Sequence, residues 1–92
     1  MTTKKITVLG RDNHAEAMRV AAGLTIYGHE VRIVFMSEAV AETEENAKQV
    51  ELLELADIIP ETTVPEMAED LAFLDSAALA QVINESDQII NI

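Results

Sequence analysis

No cysteine occurs in these 92 residues. Disulfides, thiolate metal sites and cysteine nucleophiles are therefore excluded. Tryptophan is absent too, and the aromatic side chains are Tyr27, Phe35 and Phe73, so the core must be aliphatic. Basic residues number six against seventeen acidic, a net charge of −11. Such a field repels phosphate backbones and argues against nucleic acid as a partner. The two histidines, His14 and His29, are far apart in the sequence, so no metal cluster and no cofactor is expected. No apolar run approaches the ~18 residues of a membrane span, and no signal-peptide core opens the chain. The expectation is a cytoplasmic protein with no membrane partner.

Hydrophobic residues make up 49% of the chain, high for one small domain spanning residues 1–92. A domain of this size buries only about 60–68% of its unfolded surface. The apolar excess points to a self-association surface. Charge is unevenly placed. Residues 1–36 carry five basic and three acidic side chains, a net of +2, whereas residues 37–92 carry one and fourteen, a net of −13. The acidic half reads as a solvated, solubilising face.

KKITVLG, residues 4–10, reads as a strand closed by Gly10. Asn13 is placed to cap a helix from about His14 to Tyr27, with Glu16 as its capping-box partner. Glu16, Arg19 and Gly23 form one polar stripe on that helix, and Gly28 suits its C-terminal cap. VRIVFM, residues 31–36, is nearly continuous in apolar residues, as in a strand covered on both faces of a parallel sheet. Thr43 opens a second helix whose buried side is expected at Val50, Leu52, Leu53 and Ala56. DII, residues 57–59, predicts a third strand ending at Pro60. Pro65 predicts another helix through MAEDLAFL, residues 67–74. Asp75 or Ser76 caps a helix bearing Leu79, Val82 and Ile83, and DQIINI, residues 87–92, predicts a last strand. The alternation defines an α/β chain: a three-layer, flavodoxin-like sandwich with a mainly parallel sheet of four to five strands.

Two stretches resemble the DsrE/DsrF-like family, which includes sulfur-relay subunits of the TusD type. AMRVAAGLTIYGHEVRIVFMSEAV, residues 17–40, is similar to that family's alanine-rich helix, GHEV-type turn and apolar strand. LDSAALAQVINESDQIINI, residues 74–92, is similar to its closing helix, the aspartate after it and its last strand. The resemblance implies trimers or hexamers, of one chain or of related DsrE-like subunits, engaged in cytoplasmic sulfur trafficking. The family's carrier cysteine follows a middle strand, where this chain reads IIPETTVPEM, with Glu61, Thr62 and Thr63 and no thiol. A hydroxyl cannot replace an easily ionised sulfur in persulfide transfer. Ala39 also stands where a glycine is usual before the valine, and the chain is shorter than the carrier subunits. The resemblance thus implies a non-catalytic oligomeric or accessory subunit, with Glu61, Thr62 and Thr63 lining an inherited pocket.

A second reading attaches to the first strand–helix loop, Gly10, Arg11, Asp12, Asn13 and His14. Ligands of open α/β sheets bind beyond the carboxyl ends of strands. A helix N-terminus there favours an anion or nucleotide, with Arg11 as a charged contact. Neither a dinucleotide glycine fingerprint nor a P-loop is present, and Asp12 opposes an anion, so capping with a solvated loop remains the simpler reading. His14 with Asp12 is a third reading, as an oriented general base, but residues two apart at a helix start rarely point together. His29 reads as a turn residue. Glu66, Glu69 and Asp70 read as a solvated helix face, and Met18, Met36 and Met67 as core filler.

Overall fold

The computed structural model describes residues 4–37, 40–41, 43–69 and 71–92. Five strands, β1 (Lys5–Gly10), β2 (Glu30–Phe35), β3 (Glu61–Thr62), β4 (Ala72–Phe73) and β5 (Gln88–Asn91), alternate with helices α1 (His14–Ile26), α2 (Glu44–Leu55) and α3 (Ser76–Glu85). They form one all-parallel sheet in the order β4-β3-β2-β1-β5. The chain is therefore an α/β three-layer sandwich of the flavodoxin-like kind. Crossovers in parallel sheets are right-handed. Stepping from β1 out to β4 places α1 and α2 side by side on one face, and the return to β5 places α3 on the other.

Strand alternation divides the core accordingly. Val8, Ile33 and Phe35 join Ala17, Met18, Ala21, Leu53 and Ile58 in one buried cluster beneath α1 and α2. The opposite face carries Thr7, Leu9, Arg32, Val34 and Glu61, in register across β1, β2 and β3. Of α3, only Val82 is fully buried. The buried Thr7 hydroxyl meets the Ser86 hydroxyl at 2.5 Å, and Ser86 donates in turn to the Val82 carbonyl at 2.7 Å. A polar residue under α3 is thus fully paired.

The helix starts follow the sequence reading. Asn13, Thr43 and Asp75 each accept a backbone N–H from three residues on, at Glu16, Asn46 and Ala78. Glu16 does not complete a capping box: its carboxylate pairs with Arg19 one turn along, which holds it below the usual carboxylate range. Gly28 takes φ 86° just past α1. Gly23, in the middle of α1, has open space where a Cβ would stand. Gly23→Ala should raise stability by about 0.5–1 kcal/mol through unfolded-state entropy, read from urea denaturation.

Two expected elements are corrected. DII is not a strand. α2 ends in a Schellman cap, with Asp57 N–H on the Glu54 carbonyl and Ile58 N–H on that of Leu53. The accompanying apolar contact folds Ile58 onto Leu53 in the core. The third strand therefore starts after Pro60, at Glu61. Asp57 sits at φ 58°, a strained conformation for a side chain, and brings a negative charge to the negative end of the helix. Asp57→Gly should stabilise the fold by about 0.5–1 kcal/mol, visible as a raised melting temperature.

The helix expected through MAEDLAFL is likewise absent. A single 3₁₀ turn, Pro65–Met67, follows β3, and Ala72 and Phe73 pair with Glu61 and Thr62 as β4. Strand pairing overrides the local helix preference. Glu66 and Glu69 are exposed without the long helix beneath them, and Asp70 lies outside the described residues. The buried side of α2 is also narrower than expected: Leu53 is buried, whereas Val50 and Leu52 are 38% and 41% exposed.

Candidate functional site

The carboxyl edge of the sheet is where an open parallel fold presents ligand sites. Among the described residues, two of the hollows along it hold residues singled out from the sequence. The first, about 330 Å³, sits between the starts of α1 and α2 and is lined by Asp12, Asn13, His14, Ala15, Thr43 and Asn46, among others. The second, about 390 Å³, lies between the ends of β2, β3 and β4 and the start of α3, against Met36, Thr63, Phe73, Leu74, Asp75 and Leu79. The chain leaves β2 between them through Ser37 at φ 74°, a conformation uncommon for serine and not foreseen from sequence.

The first loop is engaged internally. Backbone N–H groups of Asp12 and Asn13 both donate to the Ile92 backbone oxygen, at 3.1 and 3.2 Å. The Arg11 guanidinium donates through Nε to the Asn91 side-chain oxygen at 3.1 Å. The donors that would cradle an anion thus tie the loop to the end of β5. His14 is nearly buried. Its Nε2 lies 3.3 Å from the Met36 carbonyl, which can only accept, so this nitrogen carries the proton. Its ring stands edge-on to Phe35 at 5.4 Å. Asp12 is exposed, and no hydrogen bond joins it to His14 among the described residues. Gly10 makes this packing possible: a Cβ there would stand 3.1 Å from that of Ala17.

The segment Glu61, Thr62 and Thr63 divides three ways. Glu61 points to the α3 side and receives two hydrogen bonds from Arg32, 2.9 Å from Nε and 2.8 Å from Nη2. This hydrogen-bonded carboxylate holds the Arg32 guanidinium above its ordinary value. The fork fastens β3 to β2. Its sequence signal was the arginine inside the apolar run VRIVFM. Thr62 is wholly buried, donating to the Phe35 carbonyl at 3.0 Å and accepting from Val64 N–H at 2.9 Å. Only Thr63 lines the second hollow. That hollow is mostly apolar, and the Asp75 carboxylate beside it caps α3. Among the described residues no side chain is hydrogen-bonded to the Thr63 hydroxyl as a base that would activate it.

His29 has a structural place, accepting the Lys4 N–H at Nδ1. Met18 is fully buried and Met67 packs against the core, as expected; Met36 lies at the mouth of the second hollow instead. The alanine read in place of the family's glycine, Ala39, lies outside the described residues. Among the described residues no group of three or more acidic or histidine side chains is placed to hold a metal. No helix among them is long and apolar enough to cross a membrane.

Fold and edge together define a small parallel α/β sandwich whose carboxyl-edge polar groups are largely bonded to one another. The chain matches no family model, no curated protein and no solved structure.

Proposed function

We propose that this chain is a non-catalytic, self-assembling DsrE-like subunit, an accessory of cytoplasmic sulfur relay. The observation that carries the assembly reading is the contrast between its polar and apolar groups. At the carboxyl edge Arg11, Asn13, His14 and Thr62 are engaged with the chain's own atoms. Meanwhile Ile26, Tyr27, Leu55 and Ile59 are each more than 70% exposed. Chemistry needs convergent free groups, whereas association needs bare apolar surface. The sulfur context is supported by the resemblance of residues 17–40 and 74–92. The absence of cysteine leaves such a subunit a partner of carriers rather than a carrier.

Light scattering on the purified chain at micromolar concentration should return the mass of two or more 10.1 kDa chains. A clean monomer would refute assembly. Co-elution with a cysteine-bearing DsrE-type subunit tests the sulfur context, and the chain itself should take up no sulfane sulfur from a persulfide donor.

A further inference from the structure

α2 is fastened to the rest of the molecule by little besides aliphatic contact. Five residues of α1 are buried, but of α2 only Leu53 is. Ile58 joins it in the core, tied to the helix end by the Schellman cap, and Val40 and Ala56 pack partly against the same cluster. Among the described residues, every hydrogen bond made by residues 43–57 stays between Ala41 and Ile58. None of those residues is in an ion pair. The other two helices differ. His14 at the start of α1 reaches the Met36 carbonyl, and Ser86 at the end of α3 meets Thr7 on β1. The inner side of α2 carries Gln49 instead, one turn before Leu53. Its side-chain oxygen is buried with no hydrogen-bond partner among the described residues. Water pairs that oxygen once the helix is off, so its desolvation works against the closed position.

We infer that α2 is a flap, loosened by the unpaired Gln49 oxygen, that comes off while the sheet, α1 and α3 stay folded. A helix of 12 residues is too short to persist alone in water, so α2 melts as it leaves. Opening uncovers the aliphatic cluster that Leu53 and Ile58 close. It also takes Thr43 and Asn46 out of the wall of the 330 Å³ hollow that they share with His14. The elements that gate a site are drawn from the weakly anchored parts of a fold. α2 thus controls access to the first hollow of the carboxyl edge, whatever the state of assembly.

The test is amide hydrogen exchange of the full chain, resolved by residue. Amides of residues 48–55, which have acceptors inside the helix, should exchange at least about tenfold faster than those of β1, β2 and the middle of α1. Thr62→Val should speed exchange in β1, β2 and α1 and leave α2 as it was, because the Thr62 hydrogen bonds stay closed while α2 is off. Gly23→Ala should slow the same three elements and again leave α2 unmoved, and it serves if Thr62→Val does not fold. Gln49→Met removes the unpaired oxygen and keeps the side-chain length, so it should slow α2 exchange about tenfold. Equal protection of α2 and α1 overturns the flap, as does α2 exchange that follows Thr62→Val or Gly23→Ala. Exchange in α2 that Gln49→Met leaves unchanged or quickens overturns the cause assigned to its opening.

Discussion

Thr62→Val should lower the unfolding free energy by about 2–3 kcal/mol. The melting temperature should fall by roughly 10 °C or more in a domain of this length. The side chains have nearly the same shape, so packing is preserved and only the hydroxyl is lost. That hydroxyl is fully buried, gives its proton to the Phe35 carbonyl and accepts the Val64 N–H. The Phe35 carbonyl keeps a second donor, the Thr63 N–H at 3.1 Å. Among the described residues Val64 N–H has no other acceptor, so it would be left buried and unpaired, which carries the full desolvation penalty. Thr62→Ser keeps both hydrogen bonds, loses one methyl group, and should cost about 1 kcal/mol. A Thr62→Val variant as stable as the parent in urea denaturation, with Thr62→Ser alone destabilised, would show that the methyl matters and the hydroxyl does not.

This prediction bears on function because Thr62 is one of the residues expected to line a pocket, and a buried hydroxyl bonded on both sides is closed to any ligand. A hydroxyl held between the ends of β2 and the turn after β3 pins the sheet edge. It is a structural pivot: a small hydrogen-bonding side chain that fits the buried turn.

How far the sequence carried the fold depends on which forces act locally. Caps at Asn13, Thr43 and Asp75 were legible because a side-chain oxygen reaching an N–H three residues on is a local event. β1, β2 and β5 were legible because apolar residues of strand length are bounded by clear breaks. DII and MAEDLAFL were misread for a shared reason. Ile58 is apolar because it closes a helix end onto Leu53, and Ala72 and Phe73 are strand residues because β3 offers them partners. Both depend on contacts that periodicity does not record. The candidate site was less legible still. Arg11, Glu61 and Thr62 read as available polar groups, yet each is engaged by residues distant in the chain: Asn91, Arg32 and Phe35. The exposed Ile26 and Leu55 were foreseen only as part of an apolar excess, since composition does not tell which apolar side chains the fold leaves bare.

Gly10→Val should destabilise the fold by about 3 kcal/mol, although valine ordinarily favours a strand. An added Cβ at Gly10 would stand 3.1 Å from the Ala17 Cβ, 3.5 Å from a Phe35 ring carbon and 3.6 Å from a His14 ring carbon. Ala17 is fully buried and its Cβ hangs directly from the α1 backbone, so no rotamer change can relieve the closest contact. The helix must move off the strand. Two neighbouring contacts would be disturbed with it: the edge-on packing of His14 on Phe35 and the His14 bond to the Met36 carbonyl. Gly10→Ala, with the Cβ alone, should lose about 1–2 kcal/mol by the same contact. A double-mutant cycle isolates the cause. Ala17→Gly by itself costs about 1 kcal/mol in helix propensity, but in the Gly10→Ala background it also removes the clashing atom. The combined loss should therefore be smaller than the sum of the two single losses. A valine at position 10 that leaves stability unchanged or raises it would mean that α1 does not approach β1 as closely as these distances require. The internally bonded first loop, on which the non-catalytic reading depends, would then have to be redrawn.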